Sequence, residues 1–437
     1  MGTISPNEKA YIGPNAILEK KSKYIMPCLG HFYSQPRQIV RGEMQYLYDS
    51  DGKKYLDCFA GVSVINCGHC NPEINAAVAE QLNTLQHVCN IYLTENFVNL
   101  AEQLAHVTPG NLQKSFFCST GTEANEGAAL LAQLATGNSE FIALRGGLHG
   151  RTKLTMSLTG ISMWRTDPTP VGGIHFVRSP YCYRCPMKLS PASCGLACAN
   201  EIEETIKTAT TGHPAAFIAE SIQGNAGIIV PPKGYFKRVK EILDHYGVLF
   251  IADEVQTGFA RTGKMFAIEH FDIAPDIMTM AKALGNGAPI SAFIATPEIA
   301  DTYTKPGAST LGGNPVSTTA GLSVLRYIKE HDLIGNAARR GRQLRAGLEE
   351  LQKRHPIIGD VRGLGLMVGA EFIHADNSPA AAELDAVLEA LKDRGYIVGK
   401  NGIGRNVMAF QPPLIITESD INDVLNALEL VLTEKGF

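Results

Sequence analysis

The sequence has little of what marks membrane proteins, secreted disulfide proteins or nucleic-acid-binding proteins. It contains no apolar run near the ~18 residues that cross a bilayer. Its 10 cysteines in 437 residues fall well below the density of a disulfide scaffold. The formal net charge is only -4, so no basic excess indicates binding to nucleic acid or to an anionic membrane. We therefore expect a soluble globular protein with a sizeable core.

The N-terminal stretch also lacks the features of a targeting signal. "MGTISPNEKAYIG" has no basic segment followed by an apolar one, as a signal peptide would. Pro6 stands where the myristoylation pattern requires Ser or Thr. We therefore expect a cytosolic protein, whose cysteines are mostly free thiols in a reducing compartment.

Between about residues 115 and 295, short apolar runs alternate with helical patterns. Such runs, many of them β-branched, indicate buried strands of a mostly parallel sheet with helices between them. This alternation predicts an α/β fold. The runs are "SFFCS", "FIALR", "AAFIAE", "GVLFIADE" and "DIMTMAK".

After about residue 310 the pattern changes to that of a smaller α+β domain. Asn314 and Pro315 predict the start of one helix, and Thr417 predicts the cap of another. "ELDAVLEALKDRG" has one apolar helical face, and "VRGLGLMVGAEF" predicts a strand. Near the N-terminus, "QYLYDSDGKKYLDCFAG" predicts two strands joined by a turn. We divide the chain into residues 1–60, which join the small domain, a large domain at 61–312 and the small domain at 313–437.

Polar residues follow four of the predicted strands, where ligands of open α/β sheets bind. Taken singly, each has an ordinary explanation as a helix cap, a surface acid or a solvated lysine. Together they offer a phosphate site at a helix N-terminus, a carboxylate and an amine, which are the groups that pyridoxal phosphate needs. They are Gly121 and Thr122 after "SFFCS", Glu220 after "AAFIA", Asp253 after "GVLFIA" and Lys282 after "DIMTMA".

The stretch "IADEVQTGFARTGKMFAIEHFDIAPDIMTMAKALGNGAPISA" resembles the signature of class III (omega-type) aminotransferases of pyridoxal-phosphate fold type I. "FCSTGTEANEGA", "AESIQGNAG" and "STLGGNP" also match family motifs, in family order. The resemblance extends from about residue 40 to the C-terminus. It implies a large domain with a mostly parallel seven-stranded sheet flanked by helices, and a smaller α+β domain built from both chain ends.

The resemblance implies a role for each matched residue. Lys282 would hold the internal aldimine and carry the proton during catalysis, and Asp253 would pair with the pyridine nitrogen. Val255 would pack under the ring, and Gln256 would bond its 3′ oxygen. The remaining cofactor-binding residues would be Gly121 and Thr122 at the phosphate, Leu148 and His149 beside the ring, Glu220 near the cofactor, and Thr310 at the phosphate of a partner subunit. A homodimer is thus implied, with a tetramer left open.

Three departures from the family pattern affect substrate choice. Leu148 replaces an aromatic residue, Asn225 replaces a glutamate, and Ala409 replaces an arginine that binds the substrate carboxylate. Arg405 is near Ala409 in sequence, but its place relative to the pocket is open. The pattern is nearest to alanine–glyoxylate and omega-amino acid–pyruvate enzymes. It implies transfer of an amino group from an amino acid, omega-amino acid or amine to pyruvate or glyoxylate. The alternative is an amino acid racemase or epimerase of the same family.

The stretch at residues 181–198 carries four cysteines in the pattern C-x2-C-x8-C-x3-C. They are Cys182, Cys185, Cys194 and Cys198. Proline and glycine residues between them predict an irregular loop of the large domain. Three states stay open: a structural zinc or iron–sulfur site, a pair of disulfides, or free thiols. No catalytic metal is assigned.

Overall fold

The structure is a computed structural model, and it describes residues 11–437. Residues 1–10, which carry most of the stretch behind the cytosolic prediction, lie outside the described residues. The strands are β1 (Ile39–Glu43), β2 (Tyr46–Asp49), β3 (Lys54–Asp57), β4 (Lys114–Cys118), β5 (Phe141–Leu144), β6 (Ile174–Val177), β7 (Ala216–Glu220), β8 (Leu249–Asp253), β9 (Ile277–Met280), β10 (Ser291–Ala295), β11 (Ile358–Leu364), β12 (Met367–Phe372), β13 (Tyr396–Ile397), β14 (Gly399–Asn401) and β15 (Val407–Phe410).

The helices vary from single turns to more than twenty residues. The helix α2 is one turn with left-handed backbone angles. The helices are α1 (Pro14–Tyr24), α2 (Ala60–Ser63), α3 (Pro72–Thr84), α4 (Glu95–Val107), α5 (Gly121–Thr136), α6 (Lys153–Leu158), α7 (Ala197–Ala209), α8 (Tyr235–Tyr246), α9 (Pro297–Ala300), α10 (Pro315–Glu330), α11 (Leu333–Arg354), α12 (Ala381–Asp393) and α13 (Glu418–Glu434).

A seven-stranded sheet in the order β4-β10-β9-β8-β7-β5-β6 forms the centre of the large region. The strands β9, β8, β7, β5 and β6 run parallel, whereas β10 is antiparallel to both of its neighbours. Helices that include α5, α7 and α8 pack on the sheet. This confirms the predicted fold, a mostly parallel seven-stranded sheet flanked by helices. Five of the strands are those predicted from their apolar runs, and β6 and β10 are the two that were not.

The loop between β4 and α5 shows how local sequence places the helix N-terminus at a strand end. Thr120 is the N-cap of α5, and its hydroxyl accepts a hydrogen bond from the backbone N–H of Glu123 at 3.3 Å. The Glu123 carboxylate in turn accepts one from the N–H of Thr120 at 2.8 Å. This capping box starts the helix directly after the strand. The N-terminus of α5 therefore lies at the carboxyl end of β4.

The C-terminal region contains a four-stranded sheet in the order β11-β12-β15-β14, packed against α11 and α12. The predicted caps are confirmed, since Asn314 caps α10 and Thr417 caps α13. The prediction of a single strand in "VRGLGLMVGAEF" is wrong, because β11 and β12 form a hairpin there. Gly365 at the turn has φ 53°, and a Cβ on it would lie 2.3 Å from the Thr262 carbonyl carbon. The glycines inside this run are a local turn signal that the single-strand prediction did not use.

The N-terminal strands form a third sheet in the order β1-β2-β3-β13. The predicted turn at Asp51 and Gly52 joins β2 to β3. The strand β3 pairs in parallel with β13, with Leu56 opposite Tyr396. Residues from both ends of the chain thus share one sheet. In the part of the chain from residue 11 onwards, no helix is long and apolar enough to cross a membrane.

Candidate active site

A cavity of about 390 Å³ lies at the carboxyl ends of β4, β8 and β9. This is the edge at which the sequence predicted that polar residues would meet. Seven of the predicted site residues line it: Gly121, Thr122, Leu148, His149, Asp253, Val255 and Lys282. They come from four separate segments of the chain, so the order of strands in the sheet brings them together.

The Asp253 carboxylate is buried at the end of β8 and held by three donors. Its Oδ2 accepts a hydrogen bond from Asn125 Nδ2 at 2.8 Å and lies 2.8 Å from His149 Nδ1. Its Oδ1 accepts one from the backbone N–H of Val255 at 3.0 Å. Asn125 is oriented by Thr279, whose hydroxyl donates to Asn125 Oδ1 at 2.6 Å. A carboxylate held in this way keeps its direction and can stabilise a cation in the cavity.

Lys282 follows β9 and begins a short 3-10 turn, Lys282–Gly285. Its φ is 48°, which is uncommon for a residue with a side chain and often marks a functional position. Burial lowers the pKa of the Lys282 amine, while the negative charges of Asp253 and Glu220 oppose this shift. A lowered pKa increases the fraction of neutral amine, which is the nucleophilic form.

The first turn of α5 forms another wall of the cavity. At Gly121, an added Cβ would lie 2.8 Å from Val255 Cγ1, so a side chain there would collide with Val255, which follows β8. Thr122 lines the cavity, and its hydroxyl accepts a hydrogen bond from the Arg151 backbone N–H at 3.3 Å. Backbone N–H groups at a helix N-terminus, with the positive end of the helix dipole, favour an anion such as a phosphate.

Three of the predicted site residues do not line this cavity. Glu220 is buried, and its carboxylate accepts hydrogen bonds from the backbone N–H groups of Leu148 and Gly224 at 2.9 and 2.8 Å. Burial raises the pKa of Glu220 to about 7. Gln256 is buried and donates to Gln411 Oε1 at 3.4 Å. Thr310 is exposed and lines a separate cavity of about 410 Å³.

Twelve other residues line the cavity that were not among the predicted site residues, Asn125 and Trp164 among them. Asn125 lies four residues after Gly121, so helical spacing alone places both on one face of α5. That spacing within "FCSTGTEANEGA" is the signal by which Asn125 could have been found. Trp164, the single tryptophan of the chain, also lines the cavity. It follows an irregular segment, and no periodic pattern marked it.

The positions that depart from the family pattern have different surroundings. Leu148 lines the cavity, and its backbone is held by Glu220. Ala409 is fully buried in β15, opposite Gly369 and Gly399. The Asn225 carbonyl accepts a hydrogen bond from the backbone N–H of Gly402. Arg405 is absent from the residues that line the cavity, and its guanidinium carbon lies 5.7 Å from the centre of the Phe32 ring.

The four-cysteine segment follows β6 and reaches into the first turn of α7, which holds Cys198, so the predicted irregular loop ends before this cysteine. The segment contacts the C-terminal sheet. Tyr181 and Arg184 bond there to the buried carboxylate of Glu371 in β12. All four cysteines are free thiols around a void of about 20 Å³. Among the described residues, no group of three or more His, Cys, Asp or Glu is arranged to hold a metal ion. The zinc or iron–sulfur alternative is therefore not supported.

Comparison with known proteins gives the same family over nearly the whole chain. The family model described as aminotransferase class-III matches residues 31–432. The chain is 42% identical over 429 residues to alanine–glyoxylate aminotransferase 2 homolog 2, mitochondrial, of Arabidopsis thaliana, covering 97% of this chain and 89% of that protein. It is 36% identical over 424 residues to a leucine/methionine racemase of Thermococcus litoralis, covering 96% and 95%.

Solved structures agree in fold over the same length. A Bacillus anthracis aminotransferase superposes with a TM-score of 0.89 at 30% identity, covering 99% of this chain and 100% of that chain. An amine transaminase from an uncultivated Pseudomonas species, in its PLP-bound form, superposes with a TM-score of 0.88 at 31% identity. That match covers 94% of this chain and 98% of the other.

Proposed function

The chain belongs to the class-III aminotransferase family, and from this premise we propose that it transfers an amino group to pyruvate or glyoxylate. The donor is an amino acid, an omega-amino acid or an amine. One observation carries the proposal: Lys282 and the buried Asp253 share a cavity with the N-terminus of α5. An amine of lowered pKa, a fixed carboxylate and a helix N-terminus are the groups that this chemistry requires.

The cavity fits pyridoxal phosphate. A cradle at Gly121, where a Cβ would collide with Val255, leaves room for a phosphate beside the first turn of α5. Two buried polar atoms, His149 Nε2 and Gln256 Oε1, have no hydrogen-bond partner among the described residues. Gly121 and Thr122 would hold the phosphate, Asp253 the pyridine nitrogen and Lys282 the aldehyde carbon. Bound there, the cofactor supplies an electron sink for a carbanion at the substrate Cα.

The protein's own residues then have distinct tasks. Asp253, fixed by Asn125 and His149, keeps a proton on the ring nitrogen through its negative charge. Lys282 Nζ provides the attachment point and, once free, carries a proton to and from the substrate Cα. Leu148 covers one face of the site and excludes water there. Both half-reactions use the same lysine, which suits a ping-pong exchange.

The departures at Ala409 and Asn225 support a donor that is held without an arginine at this place, such as an amine or an omega-amino acid. Ala409 is apolar and buried, so β15 offers no cation to a substrate carboxylate at that position. With no such cation, a glutamate at position 225 would lack its partner, and the neutral Asn225 avoids an uncompensated charge. The name of the Arabidopsis relative, an alanine–glyoxylate aminotransferase, supports alanine and glyoxylate as a reacting pair. We keep a cytosolic location as a proposal, although that relative is named as mitochondrial.

A second candidate is amino acid racemisation or epimerisation. The observation that favours it is the 36% identity to a leucine/methionine racemase. The same Lys282 and Asp253 serve that reaction, which returns the proton to the opposite face of the carbanion instead of passing nitrogen to an acceptor.

We also propose a homodimer in which Thr310 serves the partner's phosphate site. Thr310 is exposed and lies between exposed apolar residues, with Leu130 and Leu311 lining the same cavity. Ile91, Tyr92 and Leu93 are 75%, 65% and 99% exposed, and this run of exposed apolar residues supports a surface that another chain covers. Light scattering of the purified protein tests this, and a monomer that holds the cofactor and turns over would refute it.

A panel of amino donors against pyruvate, glyoxylate and 2-oxoglutarate tests the function. We expect stoichiometric conversion of donor and pyruvate or glyoxylate into a carbonyl product and alanine or glycine. Solvent deuterium exchange at Cα with loss of chirality and no carbonyl product would instead establish the racemase. Neither reaction with any donor would refute both candidates.

A further inference from the structure

A second cavity, of about 310 Å³, lies where the segment after β6 meets the C-terminal sheet. It shares no lining residue with the catalytic cavity. Its wall is mostly apolar and includes Ala226, Ile229, Ile403 and Val407. A concave apolar wall with a few polar groups at its edge is the usual form of a small-molecule site.

Three arginines from two segments line this cavity: Arg145, Arg178 and Arg184. Arg178 pairs with Glu201 at 2.9 Å, and Arg184 pairs with Glu371. Arg145 is exposed and has no carboxylate within 4.0 Å among residues 11–437. The guanidinium of Arg145 is therefore free to bind an anion.

The other polar groups of the cavity leave its charge positive. Glu371 is the one carboxylate among the lining residues of the described chain. It is already shared by Arg184, by the Tyr181 hydroxyl and by Arg362, whose Nη1 lies 2.8 Å away. Arg184 Nη2 is buried and has no hydrogen-bond partner among the described residues. An unpaired buried donor costs free energy that an incoming oxygen would recover.

We propose that this cavity is a second ligand site, which binds a small organic carboxylate with an apolar body. The carboxylate meets Arg145 and the unpaired Nη2 of Arg184, because planar guanidinium groups match carboxylate oxygens. The hydrocarbon part packs on the apolar wall and is thereby removed from water. This burial favours such a ligand over inorganic phosphate, which has no apolar part. The proposed site is separate from the catalytic cavity, and the proposal does not depend on whether that cavity catalyses transamination or racemisation.

Calorimetric titration of the holoenzyme with 3-phenylpropionate tests the proposal, since this probe has neither an amino nor a keto group. We expect one probe molecule per chain, unaffected by a saturating amino donor. The neutral isostere 3-phenylpropanamide should bind at least about tenfold more weakly, because it lacks the charge that the arginines recognise. Equal binding of the amide, displacement by the amino donor, or no binding of the acid at millimolar concentration would overturn the proposal.

Arg145→Ala removes the free guanidinium and should weaken binding of 3-phenylpropionate about tenfold. Arg326→Ala is the matched control, because Arg326 is an exposed arginine on α10 outside this cavity. Unchanged affinity in Arg145→Ala, or an equal loss in Arg326→Ala, would contradict the assignment.

Arg184→Lys keeps the positive charge near Glu371 and removes the planar guanidinium group, which can donate two hydrogen bonds to one carboxylate. We expect it to fold, as shown by an unchanged circular dichroism spectrum, and to bind the probe several-fold more weakly. Inorganic phosphate serves as the second probe and should bind more weakly than the carboxylate. Tighter binding of phosphate would show that the ligand class is wrong.

Discussion

The catalytic cavity and the four-cysteine segment bring reactive side chains together in opposite ways. The cavity joins Gly121, Asp253 and Lys282, which are far apart in sequence and meet at the ends of neighbouring strands. The segment at residues 181–198 holds four thiols that are close in sequence. The cavity combines a buried carboxylate held by three donors with an amine of lowered pKa, and the four thiols have no such amine beside them. The thiols lie free around a small void.

The difference lies in what holds each group. The backbone of buried strands fixes the direction of Asp253 and Lys282, and the packed sheet cannot shift without loss of its core. The cysteine segment is attached through the side chains of Tyr181 and Arg184, both on Glu371. Proximity in sequence thus provides less organisation than a shared sheet edge. The four tests below are ordered by the size of the expected effect.

Lys282→Ala should have the largest effect. Without the amine, kcat should fall by about 10⁴-fold or more, and the visible absorbance of the bound cofactor should disappear. Steady-state kinetics and absorbance spectra of the purified variant measure both. Lys329→Ala, at an exposed lysine on α10, should change neither. Turnover retained in Lys282→Ala would show that the sheet edge is not the catalytic site.

Asp253→Asn should come next. It removes the negative charge but keeps the shape of the side chain, so kcat/KM should fall by about 10³-fold. Cofactor should still bind through the first turn of α5, which absorbance after dialysis checks. Asp272→Asn is the control, since Asp272 is exposed and its φ of 53° suits asparagine. A kcat/KM within tenfold of the original protein would mean that Asp253 does not stabilise the reacting cofactor.

Glu371→Gln tests the attachment of the cysteine segment. It removes the negative charge that faces Arg184 and leaves Arg362 with Asp360 as its remaining carboxylate partner, so the free energy of unfolding should fall by about 2 kcal/mol. Because Glu371 does not line the catalytic cavity, kcat should stay within about twofold. Denaturant titration and steady-state assays measure the two quantities. Glu350→Gln, which breaks an exposed pair with Lys353, should change stability little. A large fall in kcat at full cofactor occupancy would show that this segment takes part in catalysis.

The double variant Cys182→Ser with Cys185→Ser should have the smallest effect. Both thiols are free and partly exposed, so the thermal midpoint should shift by about 2 °C or less. Cys67→Ser provides the contrast, because Cys67 is fully buried in the core and a hydroxyl there costs about 1–3 kcal/mol. Calorimetry and metal analysis decide the point. A large drop in the midpoint, or loss of a stoichiometric metal, would show that the cysteines stabilise the fold or bind a metal.

The fold class and the reactive residues of the cavity could be predicted from local pattern together with the family resemblance. The apolar runs located β4, β5, β7, β8 and β9, and the residues after them marked the sheet edge. Asn314 and Thr417 were identified as caps because a cap depends on residues three or four positions away. The hairpin at Gly365 was missed although its turn is local, because Gly363 and Gly365 were counted as part of one strand instead of as a turn signal.

The sequence by itself determined the family, five of the central strands and the positions of Lys282 and Asp253 at strand ends, because apolar periodicity and family motifs are carried by residues that lie close together in the chain. Only the tertiary structure decided where side chains point. It turned the Glu220 carboxylate onto the backbone of Leu148 and Gly224 instead of into the cavity. It placed the Asn125 amide within hydrogen-bond distance of the Asp253 carboxylate, and it brought Arg145 and Arg184 to the wall of one apolar cavity. Each of these contacts joins residues that are distant in sequence, and no local pattern records such a pairing.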